Sequence, residues 1–319
     1  MLGAGSDAYA ERVGPASAGL LQTRSTLPTF GWSTVFTQAR FELAPLLAVV
    51  LLAGFYLLGV RQLTARGDSW PIGRSLAFVG GGLGVISVAT LSGLAAYDDD
   101  LFGAHMVQHM LLSMVAPIFL ALGAPVTLAL RTLPSRQRGW LLSLLHSRVV
   151  RGLAFPLIPW LLFVASPFAL YFSGWYPATL DNRVLHELLH LHFLLVGCLF
   201  FWPLVGIDPL PGRSAYPFRL LLLAATLPFH AFLGIAVMSV DDSGRGLIAA
   251  DHYLPLHGLH GSVFQQQVGG GALWASGDLV GLLFLAVVLA QWMRASEREA
   301  AREDRRLDRL EIAPETPVP

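Results

Sequence analysis

Long apolar stretches alternate with short polar ones from residue 43 onward. A bilayer core takes about 20 mostly apolar residues per helix. On that measure the chain predicts seven spans, at 43–60, 76–96, 104–130, 150–172, 185–206, 216–240 and 273–293. The first is short and the third long. Pro117, Pro125, Pro156, Pro159, Pro167, Pro203 and Pro228 fall within them, which membrane helices tolerate when neighbours re-satisfy the freed backbone groups. The expected fold is an all-α polytopic membrane bundle of seven helices. A polar extension at 1–40 precedes the membrane domain at 41–295, and a charged tail follows at 296–319. Residues 1–40 lack the basic and apolar regions of a signal peptide.

Composition agrees. Of 319 residues, 54% are hydrophobic and 13% charged, with a mean hydropathy of +0.59; soluble domains carry roughly 25% charged residues. Net charge is zero and every basic residue is Arg. No basic cluster points to nucleic acid. The single Cys198 excludes an intrachain disulfide framework and any C-x-x-C site.

Arginine sets the expected orientation. Loops 61–75, 131–151 and 207–219, with the tail after 293, hold 16 of the 21. The positive-inside rule then places the N-terminus outside and the C-terminus in the cytoplasm. The outer loops read differently. One is "YDDDLFG", with Asp98, Asp99 and Asp100; another, from Asp241 to about Gly271, holds Asp241, Asp242, Asp251, His252, His257 and His260. The tail alternates acids with Arg and predicts a short helical extension that frays into "APETPVP".

Against this frame the ten histidines are unevenly placed. Only His146 falls in a cytoplasmic loop. His105 and His109 open the third span, and His186, His190 and His192 open the fifth. His230 lies about 15 Å below the outer end of the sixth at 1.5 Å per residue. "HMVQH" and "HELLH" are both H-x-x-x-H, a spacing that puts two imidazoles on one helical face about 6 Å apart along the axis. His192 faces elsewhere. Neutral imidazole ligates copper, zinc and iron, and polar groups within a bilayer are usually functional. Met106, Met110 and Met114 add a stripe of soft thioethers on the third span, although methionine is also ordinary core filler. Asp278, just inside the last span, reads equally as a hydrogen-bond anchor or a functional acid.

Four chemistries fit these residues to different degrees. His186-Glu187-x-x-His190 matches the zinc-protease motif, in which Glu187 would activate a zinc-bound water and Asp278 could be offered as third ligand; that leaves the second pair unexplained. Di-iron desaturases use similar clusters, but on the cytosolic side. Paired histidines on facing helices could also hold haem axially. Finally, histidines, methionines and outer acids could capture copper and pass it inward. The residues alone leave haem and copper both open.

Longer segments narrow the choice. "HMVQHMLLSMVAPIFLALGAP" from His105, "HELLHLHFLLVGCLFFWPLVGIDPLP" from His186, "LPFHAFLGIAVMS" from Leu227 and "QQQVGGGALWASG" from Gln265 resemble the multi-spanning CtaG-type cytochrome c oxidase assembly factors, over roughly residues 40–295. The resemblance implies a non-enzymatic protein of the bacterial inner membrane. It would deliver copper, as Cu(I), to oxidase subunits after accepting it from a periplasmic donor. It singles out His105, Gln108, His109, His186, His190, His230, Gln266, Gln267 and Trp274. The family often has an acid where Gln265 stands and Met where Leu273 stands, so Met106 or Met110 would have to substitute for a missing thioether. The expected metal ligands are His105, His109, His186, His190, His230, His257 and His260. Asp241, Asp242 and His252 would form an outer rim with the last two, and Glu187 would orient a ligand imidazole.

Overall fold

The structure, a computed structural model, is described for residues 28–40, 42–211 and 214–312. Most of the N-terminal extension, Arg213 and the final "APETPVP" lie outside the described residues. The described elements are all helical: α1 Trp32–Thr37, α2 Leu43–Ala65, α3 Ile72–Tyr97, α4 Phe102–Thr132, α5 Ser135–Leu145, α6 Arg148–Leu153, α7 Leu157–Tyr171, α8 Trp175–Asp181, α9 Arg183–Val205, α10 Tyr216–Met238 and α11 Ala250–Ile312.

Among them α2, α3, α4, α9, α10 and α11 are long and apolar enough to cross a membrane. α7 and α8 meet at 70° and make a seventh span if the bent pair counts as one. The expected span at 150–172 is thus broken once, where α6 ends before Pro156; α7 ends at Tyr171, close to the expected end, and α8 extends the span beyond it. The other difference lies between Asp241 and Gly271, where an outer loop was expected. α11 already begins at Ala250, and Gly258, at φ 66° and ψ 179°, kinks it. Its polar residues mimic a loop in sequence because they bind a neighbouring turn, not because they are unstructured. The helix then runs through the expected seventh span and the Glu- and Arg-rich tail to Ile312.

Small residues let these helices approach closely, the usual membrane device where no hydrophobic effect drives association. At Gly197 of α9 an added Cβ would collide with the Ser113 carbonyl oxygen of α4 and stand 2.7 Å from Pro117. Gly234 of α10 and Gly270 of α11 are reciprocal: a Cβ on either would sit 2.9 Å from the other's carbonyl oxygen. The outward faces are apolar, with Phe55, Leu188 and Leu195 exposed, as a lipid-facing surface requires. α4 is the most buried of the spans. It carries a π-helical stretch at Leu111–Val115, immediately after His109.

Candidate metal centre

α4 and α9 cross side by side, and both begin at the same end of the bundle. Ser113 against Gly197 sets the close approach. In α9, Asn182 caps the start by accepting from the Val184 and Leu185 amides. One turn later the i, i+4 spacing turns His186 and His190 to the α4 side, where both are buried. In α4 the same spacing buries His105 and His109. The four rings form a closed circuit of centroid distances: 3.9 Å from His105 to His109, 6.1 Å from His109 to His190, 4.6 Å from His190 to His186 and 5.6 Å from His186 to His105.

A carboxylate completes the group. Asp98, in the turn between α3 and α4, is 4% exposed. Its Oδ2 lies 3.2 Å from His186 Nε2 and 3.8 Å from His190 Nε2, and the two Nε2 atoms are 3.1 Å apart. One donor atom from each of Asp98, His186 and His190 lies within 4.8 Å of the others, which makes them a group able to hold a metal ion. Adjustments of an ångström or so would bring these atoms to the roughly 2 Å of a coordinate bond. Asp98 has no place in either H-x-x-x-H pair. The sequence signal was "YDDD", which sets an acid seven residues before His105.

Unsatisfied polar atoms concentrate here. Both ring nitrogens of His105, Nε2 of His109, Nδ1 of His186 and of His190, and Oδ1 of Asp98 are buried without a hydrogen bond. Buried polar groups are rarely left so, and a donor set of imidazoles and a carboxylate suits copper, zinc or iron. An outer layer orients the rings. Tyr171 Oη lies 2.5 Å from His109 Nδ1, and His105 packs 4.8 Å from Tyr176, whose hydroxyl meets that of Tyr253 at 2.6 Å. Gln108 donates to the Ala89 carbonyl and pins α4 to α3.

The expected rim lies elsewhere. His252 and His257 spend their Nε2 atoms on the Asp99 and Asp100 carbonyls, at 2.8 and 2.6 Å. They strap α11 to the turn that carries Asp98. His260 is exposed. Asp241 accepts from Ser243 and Arg245 and closes its own turn; those hydrogen bonds hold its carboxyl below the usual range. Asp242 is exposed. The charged groups actually facing the buried donors are Arg40, Glu42, Asp99, Asp181, Arg183 and Glu187. Burial works against the Arg40 charge, but Glu42, Asp98 and Asp99 raise its pKa further still. Burial and the neighbouring Glu187 raise that of Glu42, against the pull of Arg40 and Arg183. Glu187 Oε2 is 3.9 Å from His190 Nδ1.

Deeper in the bundle, a cavity of about 20 Å³ touches His109, Met110, Ser113, Tyr171 and His230. His230 therefore stands across a small gap from the four-histidine circuit, not within it. Asp278, one turn along α11 from Trp274, accepts from the Trp274 indole at 2.8 Å. Met106 and Met114 are wholly packed in the apolar core with Met110. Gln266 is a structural tie: it donates to the Val237 and Gly246 carbonyls and accepts from the Ile248 amide.

Known proteins resemble this chain over most of its length. The cytochrome c oxidase caa3 assembly factor family matches residues 54–295. Uncharacterized proteins of Mycobacterium bovis and Mycobacterium tuberculosis are each 40% identical over 281 residues, and one of Mycobacterium leprae is 38% identical over 283. The matches cover 86% of this chain but 42% of each relative, so the chain spans under half the length of these curated relatives. No solved structure matches. A family match of this extent, over the helices that carry both histidine pairs, means that the chain belongs to the cytochrome c oxidase caa3 assembly factors.

Proposed function

We propose that the protein is a copper carrier for oxidase assembly. It binds the ion at Asp98, His186 and His190, with His105 and His109 as adjoining ligands, and passes it to an oxidase subunit without catalytic turnover. The observation that carries this reading is the convergence of both H-x-x-x-H pairs and a buried carboxylate on one point. A site built from two transmembrane helices and a turn is rigid enough to select a coordination geometry. Imidazole and carboxylate accept copper, and Met110 beside His109 and His230 offers the softer donor that Cu(I) favours, deeper along the same path. His230 is then the transfer point. Close ring packing by Phe102, Tyr176 and Phe193 favours a bare ion over a haem, which would need an open slot between the facing imidazoles.

The orientation goes with this reading. The arginine bias places the start of α4 and α9, and hence the metal group, outside the cytoplasm, where a periplasmic donor could meet it. The membrane is the bacterial inner membrane, and the recipient is the oxidase of the family name.

One specific observation favours a second reading. Asp98 supplies the third ligand that the His186-Glu187-x-x-His190 motif needs as a zinc peptidase, with Glu187 close by. The experiment that separates the two is metal analysis of the purified chain from copper- and zinc-supplemented cells. Copper near one per chain, lost in a His105→Ala/His190→Ala double variant and retained in Glu187→Gln, supports the carrier. Zinc retained in Glu187→Gln, with oxidase assembly lost, supports the peptidase. Oxidase assembly unaffected by the double variant sinks both.

A further inference from the structure

The buried donors are reached through a polar vestibule of about 220 Å³, walled by the segment before α2, the α3–α4 turn and the start of α9. Its charges are unbalanced. Glu42, Asp98, Asp99, Asp181 and Glu187 face Arg40 and Arg183. Acidic residues alone would mean little, but one buried wall group has an oxygen that no hydrogen bond satisfies. Asp98, 4% exposed, makes no hydrogen bond through Oδ1, and beside it His186 Nδ1 stands 3.3 Å from Asp99 Oδ1.

Arg40 lies across this mouth. Its Nε is 2.9 Å from Glu42 Oε1, and one terminal nitrogen donates to the Ala95 carbonyl at 3.1 Å and to Asp99 Oδ2 at 3.4 Å. The same nitrogen is 3.9 Å from Asp98 Oδ1. Arg183 holds Glu42 from the other side at 2.7 Å. The backbone that carries Arg40 is fixed in turn. α1 packs its Thr34 and Val35 backbone against Gly93, where no Cβ fits, and the Tyr97 hydroxyl donates to the Pro28 carbonyl.

We propose that the vestibule is a cation-selective port to the metal centre, and that Arg40 is a tethered cation that closes it. This takes the cationic cargo from the function proposed above. The guanidinium sits where an arriving metal ion would first meet Asp98 and Asp99, and it cannot lose its charge near neutral pH. It yields only by displacement, and Glu42 already holds its Nε and can retain it while the terminal nitrogens swing away. Closure by a charge excludes abundant weakly bound cations and admits one that ligates Asp98 and His186 more strongly than Arg40 pairs with the carboxylates.

A thiol in the vestibule wall tests this without any metal. In a Cys198→Ala background, Leu180→Cys is reacted with cationic and anionic methanethiosulfonates of matched size. The cationic reagent reacts faster than the anionic one, and Arg40→Gln accelerates the cationic reagent about tenfold, within the range that electrostatic focusing gives to charged clefts. Arg40→Lys, which keeps the charge but not the fork of donors, falls between the two and serves if Arg40→Gln does not fold. Equal rates for the two reagents overturn the port, and a rate unmoved in both Arg40 variants overturns the gate. Metal analysis answers separately: a chain that binds no metal yet shows the Arg40 effect sinks the cargo and keeps the port.

Discussion

His186 and His190 hold their Nε2 atoms 3.1 Å apart, with the Asp98 carboxylate 3.2 Å from the first. A proton on one Nε2 can bridge two of these three atoms, and a cation can be bound by all three. Asp98→Asn keeps the shape and removes the charge. In the proposed site, losing a ligand costs more than the roughly 10–100-fold typical of an outer-layer residue. Copper affinity measured by competition with a chromophoric chelator should therefore fall by at least about 100-fold. An unchanged affinity would take Asp98 out of the site.

Tyr171 stands one layer out. Its hydroxyl is 2.5 Å from His109 Nδ1 and fixes both the ring and which nitrogen is left to face the site. Tyr171→Phe removes the hydroxyl without opening a hole. Copper affinity should drop about 10–100-fold, with thermal stability close to that of the parent. A large fall in melting temperature with affinity intact would mark Tyr171 as a packing residue.

Gly197 tests the frame. Its missing side chain lets α9 rest on the Ser113 carbonyl of α4. Gly197→Ala must push the helices apart, and overpacking of this kind costs typically 1–3 kcal/mol. The midpoint of thermal unfolding in detergent should fall, and metal retention should fall with it, since the two histidine pairs sit on the separated helices. Gly54→Ala, with open space around it, is the control and should change neither.

Gln266 carries no metal role in this geometry. Gln266→Leu strands the Val237 and Gly246 carbonyls and the Ile248 amide, and each buried orphan costs about 1–3 kcal/mol. Stability should drop while the copper affinity of the folded fraction is retained. Loss of affinity at unchanged stability would give Gln266 a role at the candidate site.

The spans and both histidine pairs were legible because hydropathy and i, i+4 spacing are local properties. Asp98 was not, since its role depends on how the α3–α4 turn folds back over α9, which no local pattern encodes. The hydrogen bonds of His252 and His257 were hidden for the same reason. A histidine that binds a backbone carbonyl and one whose ring nitrogens are buried without a hydrogen bond look alike in sequence. Only the start of α11 at Ala250, in place of the expected loop, turns His252 and His257 onto the Asp99 and Asp100 carbonyls. Pro156 was visible, but not that it breaks the span, because membrane helices elsewhere in this chain absorb Pro203 and Pro228 without a break.

The π-helical stretch at Leu111–Val115 follows the histidines of α4 and includes Ser113, whose carbonyl, with Pro117 beyond the stretch, meets Gly197. A π-turn is an α-turn with one residue inserted, so the chain can lose a residue there and remain a continuous apolar helix. Such a deletion would leave hydropathy and composition nearly unaltered. It would nonetheless rotate His105 and His109 by about 100° relative to the anchored half, away from His186 and His190. Along this helix the count of residues, more than their identity, keeps the two histidine pairs in phase, and a single-codon deletion here would be more damaging than most substitutions.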